Sequence, residues 1–139
     1  MENKISITVE ALINAPVEIV WHYWTEPEHI TQWNFASDEW HSPKAANDLT
    51  VGGNFVYRME AKDGSFGFDF GGSYDAIVTN EQINYTMGDG RKAQISFISQ
   101  DDNTKIIETF EAETENTIEL QKGGWQAILD NFKKYVEAN

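Results

Sequence analysis

Residues 4–14, KISITVEALIN, put Ile5, Ile7, Val9, Ala11 and Ile13 on one face and mostly polar residues on the other. That period of two is the mark of a strand with one face buried. Ala15-Pro16 breaks it, and Val17, Val20, Trp21 and Trp24 then recur at helical spacing, with Pro16 acceptable in a first turn. Thr25 followed by Glu28 reads as the capping box of a second short helix, which buries Ile30 and Trp33. Residues 34–47 have no period and read as a connection holding Phe35 and Trp40.

Alternation resumes at residues 53–61, where Phe55, Tyr57 and Met59 share a face. Lys62-Asp63-Gly64-Ser65 is a hairpin turn leading into Phe66, Phe68, Phe70, Tyr74, Ala76 and Val78, all given one parity. Gly67, Gly71 and Gly72 within that strand predict a bulge or a sharp bend. Turn residues at 79–81, 88–90 and 101–103 separate three further strands, 82–87, 92–99 and 104–112. Connections this short require antiparallel neighbours. A last helix, with Asn116 as expected N-cap, runs to about Glu137. On its wheel Ile118, Gln121, Trp125, Ile128, Leu129, Phe132 and Val136 form one broad face. The order predicts an α+β fold in which a curved antiparallel sheet of six or seven strands wraps a long C-terminal helix, with two short helices after the first strand.

Several stretches resemble the START-like (SRPBCC, birch-pollen-allergen-like) superfamily. These are "INAPVEIVWHYWTEPEHITQW" (13–33), "VGGNFVYRMEAKDGSFGFDFGGSYDAI" (51–77), "INYTMGDGRKAQISF" (83–97) and "GWQAILDNFKKYVE" (124–137). Within it they are similar to the family named for the activator of the ninety-kilodalton heat-shock-protein ATPase, homologue-1-like. The resemblance implies a helix-grip fold with a cavity between sheet and long helix. Across the superfamily such cavities take lipids, hormones, polyketides and other hydrophobic molecules. It implies no catalytic set and no cofactor. A chaperone or other protein partner, and a cyclase-like or hydrolase-like activity, are the alternatives.

Composition narrows this picture. At 139 residues the chain is expected to form a single START-like domain over 1–139, and it has no cysteine for disulfides, thiolate metal sites or thiol nucleophiles. Ten basic against 23 acidic residues give a charge of −13, which repels phosphate backbones and anionic lipid surfaces. Neither nucleic acid nor a membrane is therefore an expected partner. The opening MENKISITVE has no basic-then-apolar signal pattern, which makes a cytoplasmic location the expectation. Five Trp, five Tyr and eight Phe imply a bulky core or a ring-lined cavity.

Parity nominates Tyr57, Phe68, Phe70, Tyr74 and Phe97 as cavity walls, faced by Trp125, Leu129 and Phe132 of the helix, with Trp24, Trp33 and Trp40 at the mouth. The competing explanation is that these rings are simply core. Two polar residues break the inward pattern: Glu108, in phase with Ile106 and Phe110, and Gln121 on the helix stripe. They are expected either to orient the polar end of an apolar ligand or, for Glu108, to be turned to solvent by a bulge. His22, His29 and His41 show no metal-binding spacing, so no metal is expected, and no serine stands in a nucleophile-elbow context. Gly88-Asp89-Gly90-Arg91 joins two strands with no helix after it, so it reads as a turn rather than a phosphate loop.

Overall fold

The computed structural model describes residues 5–139; Lys4, the first residue of the expected first strand, lies outside them. The elements are β1 (Ser6–Ile13), α1 (Val17–Thr25), α2 (Pro27–Trp33), β2 (Trp40–Asn47), β3 (Asn54–Ala61), β4 (Gly67–Val78), β5 (Gln82–Met87), β6 (Lys92–Gln100), β7 (Asn103–Glu111) and α3 (Ile118–Ala138). All seven strands form one antiparallel sheet in the order β1-β7-β6-β5-β4-β3-β2. The meander thus runs from one edge at β2 to β7, and β1 joins beside β7 at the other. The sheet curls around α3, whose Leu129, Phe132 and Val136 are buried among inward residues such as Ile7, Val9, Ile95, Ile106 and Phe110.

Local departures from the sequence pattern have identifiable causes. β2 is a strand where a connection was expected: Pro43 sits in it and the pairing to β3 shifts between His41 and Lys44, so neither periodicity nor propensity marks it. An edge position tolerates both features, because a proline there removes no ladder hydrogen bond needed by a neighbour. The Thr25–Glu28 capping box does not form. Thr25 closes α1, its hydroxyl donating to the Trp21 carbonyl at 2.9 Å, and Pro27 opens α2 at its first turn. α3 is capped by Thr117 rather than Asn116, the Thr117 hydroxyl accepting from Leu120 N–H at 3.1 Å.

In β4 the register shifts between Tyr74 and Ala76, placing the bulge at Asp75. The shift reverses the parity beyond it, so Ile77 packs on the core and Val78 is exposed, opposite to the strict alternation. Gly71 and Gly72 serve the sharp bend instead. A Cβ at either would collide with a neighbouring carbonyl, of Phe55 and of Thr86 respectively, so the three strands approach there more closely than side chains allow.

The β1 edge is closed by α3. Gln126 donates to the Glu10 carbonyl at 3.1 Å, the Lys133 ammonium to that of Leu12 at 2.7 Å, and the Asn14 N–H to the Glu137 carboxylate at 2.8 Å. These bonds occupy polar groups that an open edge would present to another chain.

Candidate functional site

The interior of the grip has two parts. At one, rings meet edge to face: Trp21 with Phe97 at 5.2 Å between centroids, Phe132 with Trp24 at 4.8 Å and with Trp33 at 4.7 Å. That geometry suits aromatic quadrupoles and fills space. At the other, rings that still touch one another, such as Phe55 with Tyr74 at 5.2 Å and with Tyr85 at 4.9 Å, surround a cavity of about 270 Å³. Its walls come from the inner face of the sheet, with Tyr57, Phe70, Tyr74 and Tyr85 prominent, and from Trp24, Trp33, Trp125 and Ile128 of the helices. Trp125 is held in place by stacking on Phe110 at 3.8 Å and 11°.

Strand alternation brings Glu108 inward. In β7 Thr104, Ile106, Glu108 and Phe110 are all buried. Pairing runs unbroken on both sides of Glu108, opposite Val9 and opposite Ile95, so no bulge turns it outward. Its carboxyl lines the cavity, where no described side chain or backbone group bonds it, and its oxygens open onto the cavity rather than being sealed in the core. Burial alone pushes its pKa up to about 8, since ionisation there costs the hydration of a charge with nothing given in exchange. Around neutral pH the group is therefore mostly a neutral acid, able to donate one hydrogen bond. Burial, and secondarily the Glu108 charge, raises Tyr85 well above its ordinary value; burial does the same for Tyr57 and takes Tyr74 to about 12. The Tyr74 hydroxyl donates to Asn47 Oδ1, and Asn47 Nδ2 donates to the Thr25 carbonyl, tying β4 to β2 and to the end of α1.

Gln121 is also buried, yet it is wholly engaged by the backbone before α3. Its carbonyl accepts from Glu113 N–H at 2.9 Å, and its amide donates to the carbonyls of Glu113 at 3.1 Å and Asn116 at 2.9 Å. It does not line the cavity, and both its amide N–H groups are committed to backbone carbonyls. Phe97, Leu129 and Phe132 likewise lie in the closed part. Trp40 is on the outside, where it meets Phe66 and Phe68 at about 6 Å; Phe66 is 61% exposed. Of that aromatic cluster Phe68 alone reaches the cavity, and with Phe55, Phe70 and Arg91 it also borders a shallow groove on the surface. These four residues stand between cavity and groove.

Phe55, Ile83, Tyr85, Ile95 and Arg91 are cavity residues that sequence reasoning did not nominate. Phe55 and Tyr85 had a usable signal, as each alternates in phase with buried neighbours in its strand. Arg91 had none. It stands in the turn after β5, where its guanidinium donates to Asp89 at 2.8 Å and to the Glu111 carbonyl at 3.2 Å.

A curled antiparallel sheet gripping a C-terminal helix, with two short helices after the first strand, defines the chain as START-like. Residues 14–137 match the model of the "Activator of Hsp90 ATPase homolog 1-like protein" family, and the chain belongs to that family. It is similar to the AHSA1-like protein from Aeromonas hydrophila, a solution structure, with 46% identity and a TM-score of 0.91 over 96% of this chain and 93% of that one. It also resembles Chr148 from Cytophaga hutchinsonii, at 55% identity and a TM-score of 0.83 over 96% and 93% of the two chains. Protein CV1439 from Chromobacterium violaceum shares the fold at 22% identity, with a TM-score of 0.85 over 96% and 98%. Among curated proteins there is no match. No helix of the described residues is long and apolar enough to cross a membrane.

Proposed function

We propose that this protein is a binding module for a small, mostly apolar molecule that carries one hydrogen-bonding end. The apolar part occupies the ring-lined cavity between sheet and α3, and the polar end meets Glu108. The observation that carries this reading is the unpartnered carboxyl of Glu108 on the wall of a cavity otherwise made mainly of rings and aliphatic chains. A buried acid without a protein partner costs stability, and a ligand hydroxyl or carbonyl would relieve that cost. The volume of about 270 Å³ suits one or two fused rings or a medium-length chain rather than a whole phospholipid. Among the nominated residues, Trp24, Trp33, Tyr57, Phe70, Tyr74 and Trp125 would surround the ligand and Phe68 would stand at its entrance.

A second reading rests on a different place. Trp40, Phe66 and Phe68 make an exposed aromatic patch at the β3–β4 hairpin, which would suit a protein partner, and the family's name points to a chaperone ATPase. The cavity favours the ligand reading, because a pure docking module has no use for an internal void beside an unpaired acid.

The test pairs probes that differ only in the polar end: 2-naphthol with naphthalene, and decanol with decane, titrated by calorimetry and by tryptophan fluorescence. The hydroxylated probes should bind about tenfold or more tightly than their hydrocarbons, the value of one buried hydrogen bond. Glu108→Leu should remove that difference while leaving hydrocarbon binding intact. Absence of saturable binding by all four probes would contradict the proposal. It would shift weight to the aromatic patch, to be checked by stimulation of a heat-shock ATPase with Phe66→Ser as control.

A further inference from the structure

His22 and His29 are separated in sequence by a helix end and a proline, and no metal-binding spacing links them. The fold nonetheless brings them together. α1 ends at Thr25, α2 begins at Pro27, and the corner between them sets the two imidazoles in edge-to-face contact at 5.2 Å. Glu28 joins them: one donor atom each from His22, Glu28 and His29 falls within 4.8 Å of the others. Two imidazoles and a carboxylate are a donor set suited to zinc and similar transition ions, and unsuited to magnesium or calcium, which favour all-oxygen shells.

Two further features belong to a built site. The Nδ1 of His29 is 2.7 Å from the Tyr135 hydroxyl, and the face of the same ring is stacked on Tyr23 at 4.2 Å and 24°. One partner fixes which nitrogen is engaged; the other fixes the plane of the ring. A metal-bound histidine commonly hands its second N–H to an oxygen in this way, which orients the ring and leaves the first nitrogen's lone pair for the ion. His22 and Glu28 are exposed, so the approach of an ion from solvent is open on their side. Donors around a tetrahedral zinc at about 2.0–2.1 Å lie roughly 3.3 Å apart, a little closer than the 4.8 Å within which the three donor atoms already fall.

We propose that His22, Glu28 and His29 form a surface site for a divalent transition ion of the zinc type, with His29 donating through Nε2 while Tyr135 holds its Nδ1. The ion would join α1 to α2 and, through Tyr135, both to α3. Trp24 and Trp33 on those two short helices line the cavity, so the clip would steady one wall of the proposed binding site from outside. The metal site does not depend on the cavity being occupied.

The test uses the full chain without a histidine tag, stripped by chelator and titrated with Zn²⁺ by calorimetry. One ion per chain should bind saturably, with no comparable response to Mg²⁺. In ¹⁵N-labelled protein the ring nitrogen signals of His22 and His29 should move on titration while those of His41, in β2, stay in place. His22→Ala and His29→Ala should each lower affinity at least tenfold, Tyr135→Phe should lower it several-fold with stoichiometry unchanged, and His41→Ala should have no effect. His22 is exposed, so its variant keeps the fold, which circular dichroism checks. Lack of saturable zinc binding, or binding untouched by both His22→Ala and His29→Ala, would overturn the proposal whatever the naphthol titrations show.

Discussion

Gln121 near the start of α3 and Glu108 in the middle of β7 lie at nearly the same depth, 8% and 6% exposed, each on a mainly apolar face. Their surroundings treat them in opposite ways. Gln121 exchanges three hydrogen bonds with the backbone of residues 113–116 and so fixes the path by which the chain enters the long helix. Glu108 exchanges none among the described residues and faces the cavity. A polar side chain bonded by neighbouring backbone is architecture, whereas one left without a protein partner on a cavity wall is a cost to the fold. That difference, rather than burial, separates a structural polar group from a binding one.

The largest expected effect comes from the unbonded member. Glu108 has an ordinary value of 4.5 and a folded value of about 8, so between those pH values the folded protein holds the proton that the unfolded chain has released. Stability therefore falls as pH rises through that window, by up to about 1.4 kcal/mol per pH unit, and the loss is complete above pH 8. Glu108→Gln should cancel this slope. It should raise stability at pH 9 by several kcal/mol, on the order of 4, and change it little at pH 4, as read by urea unfolding at the two pH values.

Gln121→Ala should act in the other direction at every pH. Removing it strips three hydrogen bonds from the turn before α3, and a loss of about 2–3 kcal/mol is expected in the same unfolding measurement. Equal pH dependence in the two variants would break the comparison. Tyr74 stands between the two cases: it lines the cavity like Glu108 but is bonded like Gln121, through Asn47. Tyr74→Phe should cost about 1 kcal/mol of stability and alter 2-naphthol affinity less than Glu108→Leu does. An effect on binding as large as that of Glu108→Leu would mean that the polar end sits elsewhere on the wall.

Much of this contrast was legible in the sequence. Strict alternation in β7 puts Glu108 in phase with Ile106 and Phe110, and the wheel of α3 puts Gln121 on the apolar stripe. What alternation cannot show is the set of partners. The backbone that satisfies Gln121 belongs to an irregular segment whose path is fixed only by tertiary structure, and Glu108 is marked as unusual by having no hydrogen-bond partner among its neighbours. Parity failed wherever the ladder was interrupted: the bulge at Asp75 exchanged Val78 for Ile77, and the shifted, proline-bearing β2 carries no period to read. Rings in the closed half and rings around the cavity have the same pattern, so Phe97 and Phe132 cannot be told from Tyr57 and Phe70 by spacing. The nearness of His22 to His29 depends on the angle at one helix–helix corner, which no linear motif encodes.

If Glu108 faces the cavity as a buried acid without a protein partner, its own titration will show it. In protein labelled with ¹³C at glutamate carboxyl carbons, the Glu108 signal is identified by its loss in Glu108→Gln and followed with pH in the absence of ligand. A midpoint near 8 is the predicted result. A midpoint near 4.5 would mean a hydrated or paired carboxylate, and Glu108 would then not be a buried acid on the cavity wall.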